Sequence, residues 1–171
     1  MATANTSSTA IATEALDAVF TALEGADIAQ ALRRSRWGYA AVNGVHILGI
    51  ALLIGAIVPL NLRSLGLWRG VPRPLLARIL VPMAAAGLFL AIAAGLLLFS
   101  VRAGDYAGLA LFQVKLALIA IGTVAALGYH LRHGWPDGDA DALVLRCHAV
   151  LSLASWLGAL VCGRLLGFVG D

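Results

Sequence analysis

The chain has 171 residues, of which 61% are apolar and only 12% charged, and its mean hydropathy is +0.91. Soluble domains carry about 45–50% apolar and about 25% charged residues, so an ordinary water-soluble fold is excluded. The net charge of +3 rests on few charges, with no basic stripe outside the flanks of the apolar runs. That pattern excludes a nucleic-acid surface and suits contact with anionic lipid.

Residues 1–10 (MATANTSSTA) are small and polar and are expected to be loose; they lack the basic start of a secretory signal. From residue 11 to 34 apolar residues recur at helical spacing: Ile11, Leu16, Val19, Phe20, Leu23, Ile28 and Leu32. Glu14, Asp17, Glu24 and Asp27 lie between them. The pattern predicts an amphipathic helix at the membrane surface, broken at Gly25. Its acidic polar face suits a protein partner nearly as well as lipid.

Four apolar runs follow, at about 37–60, 76–100, 109–131 and 142–169. Each reaches the roughly 20 residues needed to cross about 30 Å of hydrocarbon. In lipid they must be helical, because every backbone group needs an internal partner. Pro72 and Pro74 punctuate the first link, Gly104 the second, and Gly134, Pro136 and Gly138 the third. The fold class expected is therefore all-α: an integral membrane four-helix up-down bundle over 35–171, preceded by the interfacial helix. Small residues at four-residue spacing (Gly87, Ala91, Gly95; Ala159, Gly163, Gly167) serve close packing within the chain or in a homo-oligomer. The link after the first run and that after the third hold Arg63, Arg69, Arg73 and Arg132, with Arg78 and Arg146 close by. The other side holds Arg33, Arg34, Arg36 and Arg102. The count slightly favours a periplasmic N-terminus.

Cys147 and Cys162 both fall in the last run and form no CxxC pair, so they read as helix-packing residues. Three of the four histidines cluster in YHLRHGWPDGDADALVLRCH, residues 129–148. Asp139 or Asp141 is placed to cap the fourth apolar helix, and His133 lies at the C-terminal end of the third. His130 and His148 differ: both lie inside the apolar slab, at depths that agree within about 5 Å on consecutive helices. They are the candidate axial ligands of a b-type haem. Two rivals stand beside that reading. The histidines could be polar packing residues, or His130, His133 and His148 could hold Zn²⁺, Cu²⁺ or Fe²⁺ with a loop aspartate. His46 lies about 15 Å from the level of His130 and cannot share its iron. Toward the N-terminal side gather Asn43, His46, Lys115 and Arg164, with Asp105 and Tyr106 in the nearby loop. Two cations, an amide and an imidazole at one depth suit a quinone carbonyl or haem propionates, unless Lys115 and Arg164 merely snorkel.

Several stretches resemble a family of four-helix bacterial inner-membrane proteins of unassigned function. They are Trp37-x-Tyr39, His46-x-x-Gly49, PLNLRSLGLW at the end of the first run, GLLLF (residues 95–99), Tyr106, FQVK (112–115), His130 and SLASWLG…GR (152–164). Asn61 stands where that family carries Asp, and His148 is not among the matching positions. The resemblance extends distantly to copper-resistance D and cytochrome b561-type bundles, in which histidines on four helices hold haem. It implies a multi-pass protein of the bacterial inner membrane. The function expected is a haem b subunit passing electrons between a quinone and a partner protein, with no catalytic activity of its own. The alternative is a cofactor-free or metal-binding anchor or binding component of a larger complex.

Overall fold

The computed structural model describes residues 3–134 and 141–169, with side chains over 14–134 and 141–168. Among these residues the chain is entirely helical: α1 Thr3–Gly25, α2 Asp27–Arg34, α3 Arg36–Ser64, α4 Arg73–Val101, α5 Ala103–Ala107, α6 Ala110–His133 and α7 Ala142–Val169. Four of them, α3, α4, α6 and α7, are long and apolar enough to cross a membrane.

The ends of the helices follow local chemistry. Ser35 caps α3, its Oγ accepting from the Gly38 amide at 3.0 Å. At the other end of α3 the chain turns through a Schellman motif: the Gly66 amide donates to the Arg63 carbonyl at 3.1 Å and the Leu67 amide to Leu62 at 3.1 Å. That turn needs the positive φ of Gly66, +110°, which a side chain would strain. Pro72 precedes α4 and Pro74 lies in its first turn, where a missing N–H costs nothing. The α6 helix stops at Gly134, whose φ is +73° and whose amide donates to the His130 carbonyl at 2.9 Å. Asp141 takes the position before α7, its carbonyl accepting from Leu145 at 3.0 Å. The other capping candidate, Asp139, and the neighbouring Asp137 lie outside the described residues.

Two helix pairs pack by close approach. At the α3–α4 crossing a Cβ built on Gly49 would lie 2.5 Å from the Ala91 amide nitrogen, and one on Gly87 2.6 Å from that of Leu53. Glycine is what lets these backbones touch. In the α6–α7 pair the Trp156 indole fills the space over Gly122. The pairs join through α3 and α7, where Asn61 Nδ2 donates to Ser152 Oγ at 2.9 Å, both groups buried. The Cα atoms of α4 and α6 stay more than 8 Å apart among the described residues. Side chains meet across that gap at its two ends, Phe99 stacking on Phe112 with centroids 5.2 Å apart and Arg73 lying over Tyr129.

Residues 3–10, read as loose, are helical, and the break expected at Gly25 divides the N-terminal region into two helices. Within the chain α1 and α2 pack against α4 and α5. Phe20 meets Phe99 edge-on at 6.2 Å, and Arg33 donates to the Val101 carbonyl. The Glu24 carboxylate pairs with Arg33 at 3.5 Å and accepts from the Gly104 amide at 3.0 Å. That amide, with Arg33 beside it, holds the Glu24 carboxyl below the usual carboxylate value. Leu16, Val19, Leu23 and Ile28 remain exposed on the outer side.

Candidate functional site

The C-terminal ends of α3 and α6 and the N-terminal ends of α4 and α7 converge on Tyr129. Its ring is buried, with 6% exposed. Three imidazoles gather round it: His148 stacks at 4.5 Å between centroids, His133 lies at 5.0 Å and His130 edge-on at 5.8 Å. The Arg73 guanidinium lies 5.7 Å from the same centroid. Arg73 also donates from Nε to Ser64 Oγ at 2.7 Å, and that hydroxyl donates in turn to the Leu60 carbonyl at 3.0 Å. The Asn61–Ser152 bond belongs to the same end, because Ser152 lies one turn below His148 on α7.

The shared depth of His130 and His148 is thus realised as a shared neighbour. His148 Nε2 is buried and makes no hydrogen bond, while the ring approaches the backbone of Ala125 on α6. A buried imidazole nitrogen without a partner costs about 1–3 kcal/mol, so a group that occupies it recovers that energy. Stacking on Tyr129 covers one face of the imidazole, and Nε2 itself is enclosed. An imidazole nitrogen can ligate a metal or take part in a hydrogen bond, which is the chemistry that this atom offers. His133, expected at the helix end, joins the cluster through Tyr129. Among the described residues no three His, Cys, Asp or Glu side chains form a group able to hold a metal ion by themselves.

The second group is only partly assembled. His46 Nδ1 lies 2.8 Å from the Ala91 carbonyl, so Nδ1 carries the proton and Nε2 is left with the lone pair. Lys115 on α6 interacts electrostatically with His46, and its Nζ sits 4.8 Å over the Phe112 ring. Asn43 and Arg164 are exposed on their helices. Arg164 lies 4.7 Å over Phe168, one turn further along α7. Asp105 pairs with Arg102 at 3.2 Å, and Tyr106 packs against Phe112 at 6.2 Å. Equal depth along four helices does not make four residues face one space; here it brings His46 and Lys115 into range and leaves the others outside. An open cleft of about 380 Å³ is bounded by Thr21, Glu24, Gln30 and Arg33 at the α1–α2 turn, and no histidine lines it.

Tyr129, Arg73 and Ser64 were not legible as site residues. The available signal was modest: Tyr129 adjoins His130, and Arg73 opens α4 on the side where α6 ends. No known family matches the chain, and no curated protein or solved structure matches it.

Proposed function

We propose that the chain is a multi-pass subunit of the bacterial inner membrane, an up-down four-helix bundle that holds a b-type haem through His130 and His148. In this reading it passes electrons between a quinone and a partner protein. The observation that carries the reading is His148 Nε2, buried without a hydrogen bond, beside His130 on the neighbouring helix. A bound haem would supply reversible one-electron chemistry at that point. The chain's own part is to hold the ligands: Tyr129 braces His148 by stacking and His130 by its edge. Arg73 brings a positive charge to the same end, suited to an anionic substituent of the ligand. At the far end His46 Nε2 can accept from a quinol hydroxyl while the Lys115 ammonium donates to a quinone oxygen.

The test is a visible spectrum of the protein extracted in mild detergent. A Soret band with low-spin character is expected, and His130→Ala and His148→Ala should each abolish it, since six-coordinate iron needs both imidazoles. Haem that survives both replacements would sink this ligand assignment. A second reading, a cofactor-free anchor, is favoured by one observation: Tyr129 already fills the centre of the imidazole cluster, as in a closed polar core. A colourless protein with unchanged melting in His148→Ala would support it.

The α3–α4 link is assigned to the cytoplasmic side and the N-terminus to the periplasm, on the arginine count. A phosphatase fusion after residue 70 should be inactive and one at the N-terminus active; the reverse pattern would invert the orientation.

A further inference from the structure

From residue 28 to residue 104 the chain holds no Asp or Glu, yet Arg63, Arg69, Arg73 and Arg78 lie within or beside the α3–α4 link. Two of these four are committed to the chain. Arg63 donates from Nε to the Val71 carbonyl at 2.6 Å and from Nη2 to the Arg69 carbonyl at 3.3 Å. It thereby satisfies backbone groups that water would otherwise have to reach. Arg73 is held by Ser64.

Arg69 and Arg78 point outward. Arg69 is exposed and uses only Nε, donating to the Gly66 carbonyl at 3.2 Å. Arg78, on the second turn of α4, is exposed and has no hydrogen bond or ion pair among the described residues. Asp141, the described acid at this end, pairs with neither. At the opposite end Arg33 pairs with Glu24 and Arg102 with Asp105, while Arg34 and Arg36 pair with no described acid. Among the described residues no carboxylate pairs with Arg69 or Arg78.

The same link presents apolar surface. Leu67, Trp68, Val71 and Leu75 are 44%, 55%, 38% and 56% exposed. Trp68 is held at φ +49°, the one described non-glycine residue with positive φ, by a turn in which the Val71 amide donates to the Trp68 carbonyl at 2.9 Å. A bulky residue in that region is strained, and such strain persists only where the surrounding structure imposes it. Here the turn imposes it and carries the indole outward. An outward indole beside unneutralised guanidinium groups at the end of a membrane helix matches the border between phosphate and acyl chain.

We propose that the α3–α4 link is a seat for anionic phospholipid, its phosphodiester bound by Arg69 and Arg78 and its acyl border lying against Trp68 and Leu67. The proposal does not depend on the haem reading. The test is native mass spectrometry of the full chain in detergent, titrated with dioleoyl-phosphatidylglycerol and, separately, with dioleoyl-phosphatidylcholine. The wild type should retain the glycerol lipid preferentially. Arg69→Gln/Arg78→Gln should weaken its binding by about twenty-fivefold, the product of about fivefold per arginine at an anionic leaflet. The lysine pair Arg69→Lys/Arg78→Lys should keep most of the preference, and Arg34→Gln/Arg36→Gln, at the other end, should keep all of it. Three results would overturn the proposal: equal retention of both lipids by the wild type, an undiminished preference in the glutamine pair, or displacement of the lipid by millimolar inorganic phosphate, which would mark a general anion site. Both arginines are exposed, so the glutamine pair should melt like the wild type. If it does not, the single variants, each expected to lose about fivefold, decide the question.

Discussion

Gly87→Leu should leave almost no folded protein. A Cβ at this position would lie 2.6 Å from the Leu53 amide nitrogen and 2.7 Å from the Gly49 carbonyl oxygen. Both are main-chain atoms, and neither can move without parting α3 from α4. Overfilling a packed interior costs about 1–3 kcal/mol even where side chains can yield; here nothing yields, and leucine adds three more carbons. The loss is expected to exceed about 3 kcal/mol, a large share of the about 5–15 kcal/mol that holds a typical domain together. Gly44→Leu is the control. It sits on the partner helix α3 with nothing within 4 Å of its added Cβ and should behave as the wild type. The measurement is the monodisperse fraction on gel filtration in detergent, with the melting temperature of whatever remains. A normal profile for Gly87→Leu would mean that α3 and α4 do not cross there.

Trp156→Ala is expected to cost about 3–5 kcal/mol, the range for truncating a buried aromatic residue. The indole is only 4% exposed, and its atoms lie 2.9–3.1 Å from where a Gly122 Cβ would stand. Knob and hole are therefore a matched pair, and the matching can be measured. Gly122→Leu alone should also be strongly destabilising, because the indole has no room to retreat. Gly122→Leu with Trp156→Ala should recover part of the loss by refilling the volume, so the double-mutant cycle should not close. Additive effects would show that α6 and α7 do not meet through these two residues.

Much of the scaffold was legible because hydropathy speaks plainly in a chain this apolar. The four long helices fall where the apolar runs do, but α3 runs on from Leu60 to Ser64. Polar Asn61 suggested an end, whereas the helix has no reason to stop before the positive φ that Gly66 supplies. The five residues of α5 carry too few turns for any periodicity to show. The serines and threonines of residues 3–10 read as loose yet continue α1, since propensity is a weak guide at a helix end. In the site, depth was readable and facing was not. A helix apolar on every side does not reveal which residue looks inward, so level alone matches His130 with His148 but does not show that Asn43 and Arg164 are exposed. Tyr129 looked like one more aromatic residue in a run, and Arg73 like one more charge in a loop. Only the packing makes them neighbours.

The arrangement of the two close-packed pairs has a bearing on biogenesis. Helix α4 follows α3, and α7 follows α6, so each pair is a hairpin of neighbours along the chain and can zip as soon as its second helix has entered the bilayer. Joining the hairpins is different. The Asn61–Ser152 bond spans 91 positions, and its acceptor is synthesised only near the end. Until α7 arrives, the Asn61 amide must stay in lipid without Ser152. The half-inserted chain therefore carries the Asn61 amide without its Ser152 acceptor, and the last helix to insert is the one that supplies it.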